Sequence, residues 1–241
     1  SGSNLTWTLA KSGTLTISGT GDMPDFSSDQ PWNQYLDTIQ KIVIQNGVTK
    51  VGADAFQGCK ALSAEISASV AEIGDRSFQN SPNLLSLTIA EGVKTIGQNA
   101  FSGCGKLKSI ALPASIECVR AAAFMDCQEL TEAVFAPGSK QVEIGDNLFS
   151  RCYLLANVTL PAQIDRISDG MFTNCGALLA VTIPKGATSI GNSAFASCNQ
   201  LKSVTIPDSV GLIDIAAFSA CGVTDIYYGG SEDQWKAITK L

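Results

Sequence analysis

Cysteine is the reactive residue type that recurs most regularly in this chain, and its spacing decides which chemistry it could support. Seven of the eight cysteines stand three positions after a phenylalanine, and neighbouring members of this set lie 23 or more residues apart. Zinc sites built from cysteine typically use close pairs, and the chain contains no histidine. We therefore expect no metal and no cofactor. The seven cysteines are Cys59, Cys104, Cys127, Cys152, Cys175, Cys198 and Cys221.

Disulfide bonds between these cysteines are not expected either. If the repeats stack, their parallel, in-register side chains keep the Cβ atoms about a full repeat apart, which is too far for a disulfide. Free, buried thiols fit this pattern better. Cys118 is the one cysteine outside the pattern, and whether its thiol is buried or exposed stays open.

Catalytic chemistry has little support in the residue types. The absence of histidine removes the commonest general base and excludes Ser-His and Cys-His nucleophile systems. A pair of carboxylates remains formally possible, but the aspartates fall mostly at predicted corners, where they are common turn formers. We therefore predict that the protein is not an enzyme. The aspartates concerned are Asp146, Asp165, Asp169, Asp208 and Asp214.

A phenylalanine that recurs at nearly constant intervals defines a repeat. The steps between successive members are 22, 23, 23, 25, 23, 23 and 23 residues. A period of this length indicates a solenoid, in which one repeat is too small to close a core and neighbouring repeats must stack. The phenylalanines are predicted to form a buried ladder. They are Phe56, Phe78, Phe101, Phe124, Phe149, Phe172, Phe195 and Phe218.

Each repeat is predicted to contain a strand, a corner, a short extended piece and one turn of helix. In a late copy, Val204 and Ile206 alternate with Thr205, which is the pattern of a strand with one buried face. Pro207 cannot donate to a ladder and ends that strand. Glycines such as Gly97 permit the tight second corner. The segment from there to the cysteine is small and helix-tolerant.

Two repeats depart from the common length. The 25-residue step is two residues longer than its neighbours near Gly138 and Ser139, where we expect a bulged corner. The 22-residue step lacks one residue and places Ala64 and Ile66 at the strand positions, so that strand is expected to be weaker.

The composition is typical of a folded domain with a weakly charged surface. Hydrophobic residues make up 45% and charged residues 16% of the 241-residue chain, which is not the composition of a disordered protein. The net charge of −6 is spread along the chain, and no basic run interleaved with aromatics occurs. Nucleic acid is therefore not expected as a partner. No apolar run reaches about 18 residues, so no direct membrane insertion is expected.

The repeat resembles the BspA-like, or Treponema-type, leucine-rich repeats of bacterial surface proteins. The family pattern L-x-x-I-x-[IL]-P-x-x-[VL]-x-x-I-G-x-x-A-F-x-x-C is followed by copies such as LKSVTIPDSVGLIDIAAFSAC, over about 190 residues. The resemblance implies an α/β leucine-rich repeat solenoid. Its parallel β-sheet forms one face, short extended segments and helical turns form the other, and the ends carry a hairpin cap and a helical cap.

One elongated domain is predicted for the whole chain, residues 1–241. Residues 1–36 are interpreted as an N-terminal β-hairpin cap and loop, and residues 37–228 as about eight repeats of about 23 residues. Residues 229–241 are predicted to form a C-terminal capping helix.

Both predicted caps have local sequence support. Leu5, Trp7 and Leu9 alternate ahead of a Lys-Ser-Gly turn, which is the pattern of a hairpin. Ser231 and Gln234 are spaced as a capping box, so a helix is expected to begin there and to close the hydrophobic core.

The strand side that points away from the core is the predicted binding surface. The residues between the two inward strand positions are small and weakly polar, without the aromatic and arginine anchors that dominate protein hot spots. A flat parallel sheet can still bind a large protein surface through many modest contacts. The candidate binding residues are Thr88, Ala111, Val134, Thr159, Thr182 and Thr205, and Val43 holds the equivalent position in the first repeat.

The resemblance also implies a function. It indicates a non-catalytic interaction module of a secreted or cell-surface bacterial protein, with the signal peptide removed or outside this sequence. Some family members are adhesins, so adhesin-like binding of a protein or glycoprotein, such as host extracellular matrix or another bacterium, is the first interpretation. The alternative is a structural spacer that holds another part of a larger surface protein away from the cell.

Overall fold

The chain is a solenoid of stacked coils in the computed structural model, which describes residues 4–138 and 141–240. Each coil runs through a face strand, a corner, a shorter back strand and a turn segment, and then enters the next coil. The predicted solenoid with parallel strands is confirmed. Residues 1–3, 139–140 and 241 lie outside the described residues.

The face strands form one side of the solenoid, here called the face sheet. Their ladders are parallel, and consecutive face strands come from consecutive coils. In strand β17 (Ser203–Ile206) the alternation of Val204 and Ile206 with Thr205 is buried–exposed–buried, as predicted, and the strand ends before Pro207. The face strands are β3 (Lys41–Ile44), β5 (Ser63–Ile66), β7 (Ser86–Ile89), β9 (Ser109–Leu112), β11 (Glu132–Phe135), β13 (Asn157–Thr159), β15 (Ala180–Thr182), β17 (Ser203–Ile206) and β19 (Asp225–Tyr228).

The back strands line the opposite side of the solenoid, here called the back sheet. Most contain two residues, of which the second is buried. They match the short extended pieces of the predicted repeat. They are β4 (Val48–Val51), β6 (Glu72–Ile73), β8 (Thr95–Ile96), β10 (Cys118–Val119), β12 (Glu143–Ile144), β14 (Arg166–Ile167), β16 (Ser189–Ile190), β18 (Leu212–Ile213) and β20 (Thr239–Lys240). They form two parallel ladders, β4 through β12 and β14 through β20, with no ladder between β12 and β14 among the described residues.

The N-terminal hairpin is present and begins both sheets. Strand β1 (Asn4–Leu9) pairs antiparallel with β2 (Thr14–Asp22). The first half of β2 pairs with the face strand β3 and its end pairs with the back strand β4. One long strand therefore supplies the first rung of each sheet, and β1 covers its face-sheet half. A short 3-10 helix, Asn33–Tyr35, follows.

The turn segments are hydrogen-bonded turns instead of the predicted helical turn. In one coil, Asn99 and Gly103 are left-handed, with φ of 54° and 75°, which a helix does not allow. Phe101, between them, donates its N–H to the Ala123 carbonyl of the next coil at 2.8 Å. An N–H group that donates a hydrogen bond to the next coil cannot also donate along a helix. In these turn segments every second N–H group donates to the neighbouring coil.

The glycines at the second corner serve a different purpose from the predicted one. Gly97 and Gly145 have no left-handed backbone. A Cβ on Gly97 would lie 2.5 Å from the Asp75 nitrogen, and one on Gly145 would lie 2.3 Å from the Ala121 nitrogen. These glycines are needed because the preceding coil passes too close for a side chain, and not because the corner needs an unusual conformation.

The phenylalanine ladder is the centre of the core. Phe56 through Phe195 are fully buried, and successive rings lie between 5.0 and 5.9 Å apart. Such spacing suits stacked aromatic rings. The sequence pattern missed the first rung, which is Trp32. Its ring stacks on Phe56 at 5.4 Å, and its indole N–H donates to the Ala55 carbonyl at 2.8 Å.

The C-terminal end closes the core less completely. Helix α1 (Glu232–Ala237) begins at the predicted capping box of Ser231 and Gln234, and the chain then adds the back strand β20. Phe218, the last rung of the ladder, is only half-buried, and Ile215 is 80% exposed. The expectation that the helix closes the core is therefore met only in part.

The two irregular repeats have different outcomes. Strand β5 of the short repeat has four residues and pairs with both β3 and β7, so the missing residue does not interrupt the strand. In the long repeat Gly138 lies in a turn with a φ of 90°. The rest of the predicted bulged corner, at Ser139, is outside the described residues.

Candidate interaction surface

The predicted binding residues lie on the outward side of the face sheet, and the ladders join them in separate groups. Ala111, Val134 and Thr159 are in register across β9, β11 and β13. Thr182 and Thr205 are in register across β15 and β17. Val134 is half-buried and the other four are exposed.

The outward row contains two further residues that the sequence analysis missed. Glu65 stands in register between Val43 and Thr88, and its carboxylate pairs with the Lys41 ammonium at 2.5 Å. Tyr227, at the far end of the row, is 60% exposed. The expectation of a row without an aromatic anchor is wrong at this end. The short repeat step concealed Glu65, and the likeness of Ile-Tyr-Tyr to Val-Thr-Ile was the available signal for Tyr227.

Large apolar side chains stand exposed in the segments that lead into the face strands. Single exposed hydrophobic residues are normal, but a series on one side of a protein marks an interaction surface more often. This series borders the face sheet. Its members are Leu62, Leu85, Tyr153, Leu154 and Leu179.

Two interruptions divide the face sheet among the residues that the structure describes. No ladder joins β7 to β9, or β13 to β15. Beside the first interruption the inward residues Leu87 and Ile89 are still buried, with 9% and 8% exposure. Beside the second, the inward residues Val158 and Leu160 are only half-buried. The second interruption is therefore open to the surface.

A groove with a volume of about 570 Å³ follows this second interruption, and we call it the β13–β15 groove. Two of the predicted binding residues, Thr159 and Thr182, line it from opposite coils. Most of its other lining is apolar, and Lys185 is the one charged residue among the described lining residues. The groove thus gives the otherwise flat face a concave feature. The lining also includes Val158, Leu160, Pro161, Ala180 and Pro184.

The cysteines of the repeat are free thiols with a structural role. Cys152 donates its S–H to the Phe124 carbonyl of the preceding coil at 3.2 Å, and Cys175 does the same to Phe149 at 3.2 Å. Where serine replaces cysteine, the Ser81 hydroxyl makes the equivalent bond to the Phe56 carbonyl at 3.1 Å. The position holds a small buried hydrogen-bond donor, which serine can also supply.

Burial governs the acidity of these thiols. Loss of hydration raises the pKa of Cys59 to about 11 and the pKa of Cys198 to about 12. A thiol with such a raised pKa is a poor nucleophile near neutral pH. Cys118, the cysteine outside the pattern, is half-buried on the back strand β10.

No metal site is assembled among the described residues. No group of three or more cysteine, aspartate or glutamate side chains there could hold a metal ion. Two of the candidate aspartates, Asp146 and Asp165, do line one pocket of about 320 Å³, together with Glu143 and Arg166. Several of the candidate aspartates accept turn hydrogen bonds. Asp146 accepts from the Asp169 N–H at 3.2 Å and pairs with Arg166 at 2.8 Å, and Asp169 accepts from the Asn192 N–H at 3.2 Å.

The same part of the chain contains no helix that is long and apolar enough to cross a membrane. The longest stretch of α-helix described is the six-residue helix α1.

Two solved structures have the same fold at low sequence identity. A leucine rich cell surface protein from Faecalibacterium prausnitzii superposes with a TM-score of 0.55 and 20% identity, covering 99% of this chain and 97% of that chain. A leucine-rich repeat protein from Bacteroides ovatus gives a TM-score of 0.59 and 21% identity, over 93% of this chain and 75% of that chain. At these identities the likeness establishes the fold alone.

Sequence comparison gives the family directly. No curated protein matches the chain. The model of the BspA type leucine-rich repeat region matches residues 34–142 and 123–236, with six copies. These ranges include most of the coils described above, with their Phe and Cys rungs. The chain belongs to the BspA type leucine-rich repeat family.

Proposed function

We propose that this chain is a non-catalytic, adhesin-like module of a bacterial cell-surface protein, and that it binds a protein or glycoprotein through the outward side of its face sheet. The proposal rests on a difference between the inward and the outward residues of each coil. Inward residues and the turn segments hold the stack together, whereas Thr159, Thr182 and Thr205 are exposed and make no side-chain hydrogen bond among the described residues. Side chains without a structural task are free to contact a partner.

Three further observations support the proposal. Leucine-rich repeat proteins generally mediate protein interactions, and extended solenoid surfaces suit large partners. The related protein from F. prausnitzii is described as a cell surface protein. The exposed Tyr227 supplies an aromatic residue of the kind that is enriched in protein interfaces.

The first test is a binding screen with a charge-matched pair of variants. The purified domain is applied to immobilised matrix proteins, mucins and glycans, and bound protein is measured by surface plasmon resonance. For any ligand found, Thr159→Arg with Thr182→Arg places two bulky charges on the face sheet and should abolish binding. The control, Gln98→Arg with Ser219→Arg, adds the same charge at exposed turn segments and should leave binding intact.

The outcome separates adhesion from the spacer alternative. The turn segments give the spacer role its support, because their hydrogen bonds join successive coils from Phe56 to Ala217 and make a stiff rod. Binding that survives the face-sheet variant would place the contact elsewhere on the molecule. No saturable binding by the folded domain to any of the panel would favour the spacer.

A further inference from the structure

Strand β13 forms the first wall of the β13–β15 groove, and some of its main-chain N–H and C=O groups have no hydrogen-bond partner there among the described residues. Asn157 donates its N–H to the Thr131 carbonyl of the preceding coil at 3.2 Å. Successive residues of a parallel strand direct their N–H and C=O groups to opposite sides. The N–H and C=O of Val158 therefore point away from the preceding coil, toward the groove.

Strand β15 forms the second wall of the groove, and it also has main-chain N–H and C=O groups that face the groove. Ile183 donates its N–H to the Thr205 carbonyl of the following coil at 2.9 Å. By the same alternation, the N–H and C=O groups of Ala180 and Thr182 point back toward β13. No hydrogen bond joins β13 to β15 within residues 4–138 and 141–240. Two strand edges thus face each other across the groove, each with donors and acceptors to offer.

The side chains of the groove specify the chemistry of an occupant. Val158 and Leu160 are half-buried, so apolar contacts are available on the core side. Thr159 and Thr182 line the outward side. Both strands run toward prolines, and the exposed Lys185 lies just beyond β15, with no ion pair among the described residues. A cation at the carboxyl end of both strands favours a carboxylate there.

We propose that the β13–β15 groove binds an extended peptide segment of a partner protein, inserted as a strand parallel to β13 and β15. The main chain of the segment pairs with both edges, its β-branched side chains contact Val158 and Leu160, and a carboxylate at its C-terminal end meets Lys185. Strand addition to an exposed sheet edge is an established mode of peptide recognition. This inference names the partner chemistry for the surface in the proposed function and rests on that function.

Amide hydrogen exchange tests the open ladder in the unmodified domain. We expect the Ala180 and Thr182 amides to exchange on the order of 100-fold faster than the Thr205 amide, which lies in the ladder between β15 and β17. Equal protection at Thr182 and Thr205 would mean that the two edges are paired in solution, and would overturn the proposal.

A peptide with the sequence of residues 202–208, Lys-Ser-Val-Thr-Ile-Pro-Asp, is the binding probe because it has the required β-branched residues and a C-terminal carboxylate. Labelled at its N-terminus, it should give saturable fluorescence anisotropy at concentrations up to about 1 mM, and it should slow exchange at Ala180 and Thr182. A scrambled peptide of the same composition is the control. Absence of saturation, or equal binding of the scrambled peptide, would contradict strand insertion.

Variants of the second wall separate main-chain pairing from side-chain contact. Thr182→Pro removes the N–H that faces the groove and should weaken peptide binding roughly fivefold to tenfold, whereas Thr182→Ala keeps the N–H, loses only the side-chain contact and should weaken binding less than the proline variant does. Lys185→Glu should weaken binding by about twofold to fivefold. Equal loss in the alanine and proline variants would refute main-chain pairing. The exchange measurement needs no variant, so misfolding of Thr182→Pro does not remove the test.

Failure of this inference and failure of the proposed function give different results. If the face-sheet variant loses a macromolecular ligand but no peptide binds, strand insertion is wrong and the interaction module stands. If the peptide binds the groove but the screen finds no ligand dependent on the face sheet, the groove is supported and the adhesin-like function is not.

Discussion

The turn segments and the face sheet of the same coils differ in how completely they join. Along the turn segments, each phenylalanine N–H donates to the next coil without a break, from Phe56 to Ser77 and on to the bond from Phe195 to Ala217. The face sheet, in contrast, is divided at two places among the described residues. The turn segments therefore join every pair of neighbouring coils by main-chain hydrogen bonds, whereas the face sheet joins only some of them.

This difference indicates where the solenoid can vary. From Phe56 to Phe195 the turn segments combine a buried ring, a buried thiol or hydroxyl donor and a main-chain bond in each coil, so a change there disturbs two neighbours. The face sheet needs only its inward residues for the core, and its outward residues range from Glu65 through threonines to Tyr227. Separating cohesion from surface variation lets one fold present different faces.

The largest expected effect compares the two sides within a single coil. Phe172→Ala removes a fully buried ring from the ladder and should lower the free energy of unfolding by about 3–5 kcal/mol. Val158→Ala, at the half-buried inward position of β13, should cost only about 1 kcal/mol. Urea denaturation followed by circular dichroism measures both. Similar costs for the two variants would show that the face sheet carries as much cohesion as the turn segments.

The second prediction concerns the close approach of coils at the corner. Gly145→Ala should lower the free energy of unfolding by about 1–3 kcal/mol, because the new Cβ would lie 2.3 Å from the Ala121 nitrogen. Gly211 is the matched control, since a Cβ there meets nothing within 4 Å. Gly211→Ala should be neutral or stabilise by up to about 1 kcal/mol. A destabilisation of the same size in both would argue for backbone conformation and not for contact between coils.

The third prediction uses the thiols of the turn segments. Their ordinary pKa is 9.0, and burial raises the pKa of Cys59 to about 11. The folded state therefore retains protons that the unfolded chain loses, so the free energy of unfolding should fall as the pH rises from about 9 to about 11. Urea midpoints measured over this range should fall less steeply for Cys59→Ala with Cys198→Ala. Parallel slopes for the variant and the parent protein would exclude these two thiols as the cause.

The smallest expected effect is on the reactivity of the cysteine thiols toward iodoacetamide, which is measured without changing the sequence. Cys118 and Cys221 are the half-buried thiols, and the other six cysteines are buried. Iodoacetamide should therefore label at most these two in the native protein, as read by peptide mass spectrometry, and all eight after unfolding. Burial raises the pKa of Cys118, so its labelling should accelerate with rising pH. Labelling of native Cys127 at a similar rate would show that the turn segments open readily.

Much of the fold could be predicted because the sequence of each repeat specifies its own strand and corner locally. Alternation in strands such as β17, the proline that follows it and the regular phenylalanine are local signals that the structure confirms. The turn segments were predicted less well, because helix-tolerant composition is overridden when N–H groups such as that of Phe101 bond to the next coil. Trp32 was missed because the first rung of the ladder lies outside the repeat pattern.

The candidate site could be predicted only as a row of positions. The period placed Thr159 and Thr182 on the same side of neighbouring coils, and the structure agrees. It could not show that a groove separates them, since the strand segments of both repeats fit the common pattern. Glu65 and Tyr227 joined the row only when strand register was known.

The amino-acid sequence by itself determined the stack of coils, the buried ladder of phenylalanine and cysteine, and the side on which outward residues stand. These follow from periods of two along a strand and about 23 along the chain, which each repeat encodes locally. The tertiary structure alone decided how closely neighbouring coils approach. Where two coils approach closely, as at the corner glycines, no Cβ fits between them. Between β13 and β15 no ladder forms. The distance between coils depends on the summed fit of side chains and main-chain bonds on all sides of two coils, which no single repeat specifies.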